Sequence, residues 1–278
     1  MARTVADAAA LLSALIGIDP RDSATNGSRG KSVQDYTVFL KADAFRGARI
    51  GVARKYFGRN ERVDKLLADA IELIKKAGAI VIDPADIPTS SQLGPAELVV
   101  LLFELKTGLN NYLAERALKG GPGTLADVIK FNDANSGTEM PYFGQELFLQ
   151  AEEKGPLTTK AYLDALVKNH KFARDQGIDA IARKFKLDAF IAPSRVPAWL
   201  TDLVNGDSSS GGCSTLPAVA GYPHITVPAG HVHGLPIGIS FFGIAYSEPK
   251  LIALAYAFEQ ATQVRRPPRF LRSAKLDR

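Results

Sequence analysis

Apolar residues in the first third of the chain recur at helical spacing between two short, mostly apolar runs. The helical pattern covers residues 62–77, and the two runs cover residues 48–53 and 79–82. The apolar positions of the helical segment are Val63, Leu66, Leu67, Ala70, Leu73 and Ile74. Short apolar runs joined to a helix by short connections are typical of buried strands. The pattern therefore predicts a strand, helix, strand unit with parallel strands and a right-handed crossover.

Three further strands are predicted near the carboxyl end. Residues 187–193 read Leu-Asp-Ala-Phe-Ile-Ala-Pro and predict a strand that closes at its proline, because proline cannot continue a central ladder. A polar loop then leads to a short β-branched strand between Pro223 and Pro228, and residues 229–230, Ala-Gly, predict a turn. Apolar and small residues alternate over residues 237–240 and are followed by Phe241 and Phe242, which predicts a second strand with one packed face.

Helices account for the remaining patterns. Thr4 is a suitable cap for a first helix that ends at Gly17, and Ser247 is a suitable cap for a last helix. The middle of the chain is predicted to be mostly helical, with helices over residues 96–118, 124–131, 145–153 and 158–184. Glu104 and Asn110 on the first of these are interpreted as polar helix surface rather than as pocket residues.

The composition is that of a globular protein. The 278 residues are 46% apolar, which is enough for a substantial core. No run approaches the roughly 20 apolar residues of a membrane-spanning helix, and residues 1–20 lack the pattern of a signal peptide. A single cysteine, Cys213, excludes an internal disulfide framework and fits a reducing, cytoplasmic location.

The net charge of +5 comes largely from a basic tail. Its cations are Arg265, Arg266, Arg269, Arg272, Lys275 and Arg278. Two prolines interrupt this segment, and Phe270 and Leu271 suggest that it docks onto the domain. Because neither a recognition helix nor an aromatic and basic strand pattern accompanies the charge, a solvated tail is preferred to a nucleic-acid site.

Several phrases of this chain carry a resemblance. They are Ala-Val-Ala-Gly-Tyr-Pro-His-Ile-Thr-Val-Pro-Ala-Gly (218–230), Gly-Leu-Pro-Ile-Gly-Ile-Ser-Phe-Phe-Gly (234–243) and the segment from Ser247 to Thr262. Together they resemble the carboxy-terminal signature of the amidase signature family. The opening Met-Ala-Arg-Thr-Val-Ala-Asp-Ala-Ala (1–9) is similar to a block that normally lies in the interior of that family's chains. The resemblance covers both ends and, more loosely, everything between them.

The resemblance implies an α/β fold with a mixed central sheet flanked by helices. Residues 1–278 would form a single amidase-type domain that is incomplete at its amino terminus. Within it, residues 95–186 would form a mostly helical segment that covers the site and varies with the substrate. No cofactor and no metal is implied.

The same resemblance implies that the family's catalytic residues lie outside the part that this chain matches. A serine nucleophile, a cis-peptide serine that relays a proton and a lysine base all precede the Ala-Arg-Thr-Val-Ala-Asp block in the family. No position in these 278 residues matches any of the three. We therefore expect a carboxy-terminal portion of a bacterial-type amidase that has no catalytic residue of its own and is inactive alone.

The polar run before the Ala-Gly-Tyr-Pro phrase is the predicted substrate-binding segment. It comprises Asp207, Ser208, Ser209, Ser210 and Gly211. The run is similar to the Gly-Ser-Ser-Gly-Gly type of loop that carries the family's nucleophile, but it follows the Ala-Arg-Thr-Val-Ala-Asp block instead of preceding it. A nucleophile here would need a base and an oxyanion donor within hydrogen-bond reach. A loop that lines the acyl or amide side of the cavity is preferred.

Other constellations are weaker. A serine with His224 and Asp207 could form a triad, since a triad is defined by geometry, but a histidine between a proline and a strand is more often packed and hydrogen-bonded. Cys213 with His224 has the same weakness, because burial leaves a thiol inert. His231 and His233 could face one side as metal ligands, yet no third ligand is evident.

The sequence therefore predicts an amidase-family hydrolase of carboxamide C–N bonds that acts by serine acyl transfer. The alternative is a non-catalytic binding or scaffold remnant. The expected partner is a small-molecule amide, a homo-oligomer is possible, and neither nucleic acid nor a membrane is expected. A transamidating role on charged transfer RNA is less favoured, because that branch usually departs from the Tyr-Pro-His-Ile wording found here.

Overall fold

The computed structural model describes residues 1–116, 120–208 and 211–270. In these ranges the strands are β1 (Arg49–Val52), β2 (Ile80–Ile82), β3 (Ala189–Pro193), β4 (His224–Val232) and β5 (Leu235–Phe242). The α-helices are α1 (Val5–Leu15), α2 (Glu61–Lys76), α3 (Gly94–Arg116), α4 (Leu125–Ala134), α5 (Ser136–Glu139), α6 (Glu146–Glu152), α7 (Lys160–His170), α8 (Asp179–Phe185), α9 (Thr215–Ala220) and α10 (Glu248–Thr262).

The five strands of these ranges form one mixed sheet in the order β2-β1-β3-β5-β4. β1 is parallel to both of its neighbours, β2 and β3, whereas β5 is antiparallel to both β3 and β4. The predicted strand, helix, strand unit is confirmed. Its helix begins after Asn60, whose side chain accepts hydrogen bonds from the backbone of Arg62 and Val63.

The hairpin of β4 and β5 corrects one prediction. The turn expected at residues 229–230 does not form, because β4 continues through Pro228 to Val232. A shift of register between Pro228 and Gly230 absorbs the irregularity as a bulge. The chain reverses instead at His233 and Gly234, whose φ angles of 50° and 78° are those of a type I′ hairpin turn.

The middle helices also differ from their prediction. The long helix expected over residues 158–184 is divided into α7, a π-helical stretch at Lys171–Ile178, and α8. Gly177, with φ −100° and ψ −116°, leaves helical geometry and causes the break. Among the described residues, none of the helices is both long and apolar enough to cross a membrane.

The chain divides into two compact units. The first contains the sheet and comprises Met1–Ser90, Ala173–Asp202 and the described residues from Asp207 onward. The second comprises the described residues of Ser91–Phe172 together with Leu203–Gly206, and its secondary structure is helical.

The helical unit uses its polar side chains to connect helices. Glu104 of α3 accepts a hydrogen bond from the Tyr162 hydroxyl at 2.8 Å, and Asn110 accepts one from the backbone of Leu125 at 2.7 Å. These two residues therefore hold α7 and the start of α4 against α3. The function of the unit as a substrate cover stays a prediction.

The two faces of the sheet have different compositions. One face packs against α1, α2 and α10 in the main core, where the Phe241 ring lies 6.3 Å from Phe45 and 6.1 Å from Phe258. Because side chains alternate along a strand, the opposite face carries the intervening residues. These include Gly51, Phe190, Ala192, Gly238, Ser240 and Phe242.

The basic tail does not dock through its aromatic residue. Phe270 is 90% exposed, so the expected packing of this side chain is wrong. The remaining tail residues that the prediction used, Leu271, Arg272, Lys275 and Arg278, lie outside the described residues.

Candidate functional site

Four polar residues meet on the second face of the sheet. Ser194 follows β3 directly, Ser240 lies in β5, and Thr226 and His224 lie in β4. The Ser240 Oγ is 2.8 Å from the Ser194 Oγ and 2.6 Å from the His224 Nε2, and the Ser194 hydroxyl is also hydrogen-bonded to the Thr226 hydroxyl. We call these four residues the polar cluster.

Strand register creates the polar cluster. Ser240 is opposite Ala192 in β3 and opposite Thr226 in β4, so residues far apart in sequence converge on one point. Gly238 provides the space. A β-carbon there would lie 2.6 Å from the Thr226 Oγ1 and 2.7 Å from the Ser194 Oγ, both too close for ordinary contact. Glycine is therefore required beneath the hydroxyl groups.

His224 is a neutral member of the cluster. The His224 residue as a whole is exposed, but desolvation of its ring by the surrounding protein lowers the pKa of the imidazole. The ring meets Phe242 edge-on with centroids 6.3 Å apart. An uncharged imidazole has one donor and one acceptor nitrogen. With Nε2 engaged by Ser240, His224 can act as the donor or acceptor at the end of a hydroxyl chain that leads to Ser194.

Cys213 lies beside the same serine. It is fully buried, and burial raises the pKa of its thiol, an effect that a hydrogen bond with Ser240 partly offsets. A thiol in this environment stays protonated at neutral pH and is a poor nucleophile. Ser240 itself is 0% exposed, so no substrate carbonyl can reach its hydroxyl.

A loop follows the carboxyl end of β3. It is closed at its base by a β-bridge between Arg195 and Gly212. A β-carbon at Gly212 would collide with the carbonyl oxygen of Ser194, so the close approach of the two chain segments needs glycine. Further along, the Trp199 Nε1 donates to the Asp207 carboxylate at 3.3 Å, and the Arg195 guanidinium lies 4.9 Å from the centre of the Trp199 ring.

The loop lies at a favourable place for a ligand. β1 and β3 are parallel neighbours, and the chain leaves β1 toward β2 on the side away from β3. Open α/β sheets bind ligands at such switch points, at the carboxyl ends of the strands. A cavity of about 10 Å³, enough for one water molecule, is found here between the loop and the segment that follows β1. Its lining includes Tyr56, Arg59, Asn60, Pro193, Arg195 and Gly211.

The structure describes three of the five predicted substrate-binding residues, and Gly211 is the one of these three that lines the cavity. Asp207 is exposed and bonded to Trp199, and Ser208 is exposed. Gly211, with φ 76°, faces Arg59, whose Cζ would be 3.7 Å from a β-carbon at that position. Ser209 and Ser210 lie outside the described residues. Substrate binding by this segment stays a prediction.

Sequence reasoning found His224 but missed its partner. The structure pairs it with Ser240, whereas the sequence suggested Asp207 or Cys213 as alternatives. The pair could have been predicted from the register of the hairpin. A two-residue turn at His233 and Gly234 fixes that register and brings Ser240 close to His224. Tyr56 and Arg59 were missed as well, since only the sheet brings the segment after β1 next to Pro193. For metal ligands, the described residues contain no cluster of three His, Cys, Asp or Glu side chains.

Comparisons with known proteins give the family. The family model described as Amidase matches residues 1–252. A probable amidase of Arabidopsis thaliana is 38% identical over 276 residues, which cover 97% of this chain and 49% of the relative. One glutamyl-tRNA(Gln) amidotransferase subunit, from Thermoanaerobacter pseudethanolicus, is 30% identical, over 98% of this chain and 56% of the relative.

A solved structure has the same fold. A peptide amidase in complex with the competitive inhibitor chymostatin superposes with a TM-score of 0.92 at 42% identity, over 97% of this chain and 55% of that one. The α/β fold with a mixed central sheet is thereby confirmed. The chain spans about half the length of the relatives that it matches. The family expected from the sequence phrases is also confirmed, and this chain belongs to the amidase family.

Proposed function

We propose that this chain forms the substrate-facing part of an amidase that hydrolyses a carboxamide C–N bond by acyl transfer to serine and then to water. In this proposal the 278 residues lack the catalytic lysine and both catalytic serines and do not turn over by themselves. The chain contributes the loop after β3 and the polar cluster, whose hydrogen bonds connect β3, β4 and β5.

The state of Ser240 carries the proposal. Its hydroxyl has an imidazole at 2.6 Å, as a nucleophile requires, yet the side chain is completely buried. Ser208 has the opposite property, because it is exposed next to an aspartate that already binds Trp199. Ser240 therefore has a base but is not accessible, whereas Ser208 is accessible but has no base that the structure shows.

Peptide amides are the first substrates to test. The solved structure that superposes with a TM-score of 0.92 is a peptide amidase, and its 42% identity exceeds the 30% of the amidotransferase relative. Hydrolysis is therefore favoured over transamidation. A cytoplasmic location, a homo-oligomeric state and the covering function of residues 95–186 remain predictions.

The first experiment measures the chain alone. We expect the purified protein to release no measurable product from an aryl amide or from a peptide amide. A rate that disappears in Ser208→Ala or Ser209→Ala, while Ser23→Ala retains it, would contradict the proposal and make the polar run catalytic. Ser23 is a suitable control because it begins a distant 3₁₀ turn.

A second experiment supplies the proposed missing groups. The chain is mixed with the part of the peptide amidase that lies outside the matched region, and amide hydrolysis is measured together with complex formation. Activity that needs both components supports a catalytic scaffold. A complex that forms and stays inactive on both substrate types favours the alternative, a non-catalytic binding or scaffold protein.

A further inference from the structure

A second cavity lies at the opposite end of β3 from the loop. It has a volume of about 570 Å³, within the range of small-molecule pockets. The carboxyl end of α8, the segment leading into β3 and the segment after β5 surround it. Its lining includes Asp179, Arg183, Lys186, Leu187, Tyr222 and Ile244, and we call this site the basic cavity.

The walls of the basic cavity are largely apolar. Leu187 is half-buried, Ile244 is 46% exposed, and Ala182 and Ala245 complete the apolar lining. An isoleucine exposed to this extent beside a concave surface retains apolar area that a ligand can cover. The shape and lining therefore suit a short hydrocarbon or aromatic group.

The carboxylate in the lining, Asp179, is already engaged. The Tyr222 hydroxyl donates to the Asp179 Oδ2 at 2.9 Å, and burial raises the pKa of Tyr222 to about 12, which keeps the hydroxyl protonated. The Tyr222 ring is also in contact with Arg174, whose guanidinium lies 5.7 Å from the ring centre and donates to the carbonyl of Ala220 at 2.6 Å. Asp179 remains a carboxylate in the wall, four residues before Arg183 on α8, so the two cations and one carboxylate leave the lining with a net charge of +1.

Two cations in the lining have no acidic partner among the described residues. Arg183 and Lys186 are both exposed, and no ion pair of that part of the chain includes them. Asp188, two residues after Lys186, is occupied by the Arg49 backbone and by the Lys250 Nζ. Lys186 has a left-handed backbone, with φ 52°, and its N–H closes α8, which fixes where its side chain starts.

We propose that the basic cavity binds a small amphipathic carboxylate. The apolar group would lie against Leu187 and Ile244, and the carboxylate would lie between Arg183 and Lys186. Opposite charge at the rim and apolar surface within select this class over a cation or a neutral alcohol. The inference does not depend on the proposed amide hydrolysis.

The test is a titration of the 278-residue chain with octanoate, followed by amide chemical shifts in NMR spectra. We expect saturable shifts that are confined to α8 and to the segments around Leu187, Tyr222 and Ile244. Octylammonium and octanol are the comparison probes and are expected to bind more weakly. Shifts elsewhere, no saturation, or equal binding of all three probes would refute the site.

Two variants separate ligand binding from helix stabilisation. Cations near a helix carboxyl end also stabilise the helix, so Arg183 and Lys186 have a simpler explanation that must be excluded. We expect Arg183→Gln with Lys186→Gln to weaken octanoate binding about fivefold to thirtyfold, the loss of two exposed charge contacts. The matched control, Arg62→Gln with Lys76→Gln on the exposed face of α2, removes the same charges and should bind as the wild type does.

A cavity-filling variant decides the matter if the charge variant folds poorly. Ala245→Leu places a larger side chain at the half-buried wall and should block octanoate while thermal unfolding stays cooperative. Wild-type affinity in Ala245→Leu would show that octanoate does not occupy the cavity. Wild-type affinity in the folded charge variant would show that the cations serve only the helix.

Discussion

The two faces of the sheet are built from the same strands but are stabilised by different interactions. On the core face, Ile239 and Phe241 are fully buried among apolar side chains from α1, α2 and α10. On the other face, the residue between them, Ser240, is equally buried but bonded to Ser194 and His224. Burial therefore does not distinguish Ser240 from its apolar neighbours, whereas His224 and Thr226 of the polar cluster are exposed. The core face is stabilised by buried apolar area and close packing, whereas the polar cluster depends on the position of each hydroxyl group.

The largest effect is expected on the core face. Phe241→Ala should lower the free energy of unfolding by about 3–5 kcal/mol, because it removes a fully buried ring and leaves a cavity. Urea denaturation measures it. Phe270→Ala is the matched control, since its ring is 90% exposed, and should change stability by less than about 0.5 kcal/mol. Similar losses in both variants would mean that Phe241 is not a core residue.

The next effect tests the space beneath the polar cluster. Gly238→Ala should cost about 1–3 kcal/mol, because the added methyl group would lie 2.6 Å from the Thr226 Oγ1 and 2.7 Å from the Ser194 Oγ. Adding Ser194→Ala and Thr226→Ala should recover part of the loss. Strictly additive losses among the three substitutions would contradict the steric explanation.

Removing the central hydroxyl should have a smaller effect. Ser240→Ala should cost about 1–2 kcal/mol, since the His224 Nε2 and the Ser194 hydroxyl each lose a partner. Nitrogen-15 shifts of His224 should change at the same time, because the tautomer of the ring depends on the Nε2 partner. An unchanged His224 spectrum would mean that the pair does not form in solution.

The pH dependence of stability tests the neutral state of His224. Burial lowers the pKa of the folded ring below the unfolded value of about 6.5, so the unfolded chain binds more protons as the pH falls. Stability from this group is therefore fully present above about pH 6.5 and is lost as the pH falls toward the folded pKa. His231 contributes in the same direction, because burial, Arg266 and Arg269 lower its pKa as well.

The measurement compares urea midpoints at about pH 7.5 and about pH 5.5. The difference between the two should be smaller in His224→Gln than in the wild type, and an equal difference would assign the effect to other groups.

The smallest effect concerns the loop after β3. Asp207→Ala removes an exposed hydrogen bond to Trp199 and should leave the free energy of unfolding within about 0.5 kcal/mol. Because Trp199 is the single tryptophan of the chain, its fluorescence maximum should nevertheless move. Asp69→Ala, at an exposed position of α2, is the control. A shift of equal size in both variants would mean that the Asp207 contact is not specific.

The local pattern of the sequence was sufficient for most elements. Helix α2 follows from six apolar residues at helical spacing, and its cap Asn60 adds a polar start before Glu61. The prediction failed where one residue changes the backbone. Gly177 divides the long middle helix, and the bulge beside Pro228 allows β4 to continue where a turn was expected. Neither event changes the hydrophobic pattern, so periodicity could not reveal it.

The candidate site was only partly accessible to the same reasoning. Asp207 and Gly211 were selected from a polar run. Gly211 lines the small cavity beside Pro193 and Arg59, whereas Asp207 is bonded to Trp199. The hydroxyl of Ser240 was not selected, because in sequence it is one small residue in an apolar strand.

The sequence by itself determined the family and most of the strands and helices along the chain, because both depend on local order: the phrases near residues 218–262 and the spacing of apolar residues. The tertiary structure decided the polar cluster and the basic cavity. Both are made by residues from separate parts of the chain that come together only through strand register and helix packing. Register depends on the hairpin turn at His233 and Gly234, and one residue of slippage would move Ser240 to the other face of the sheet.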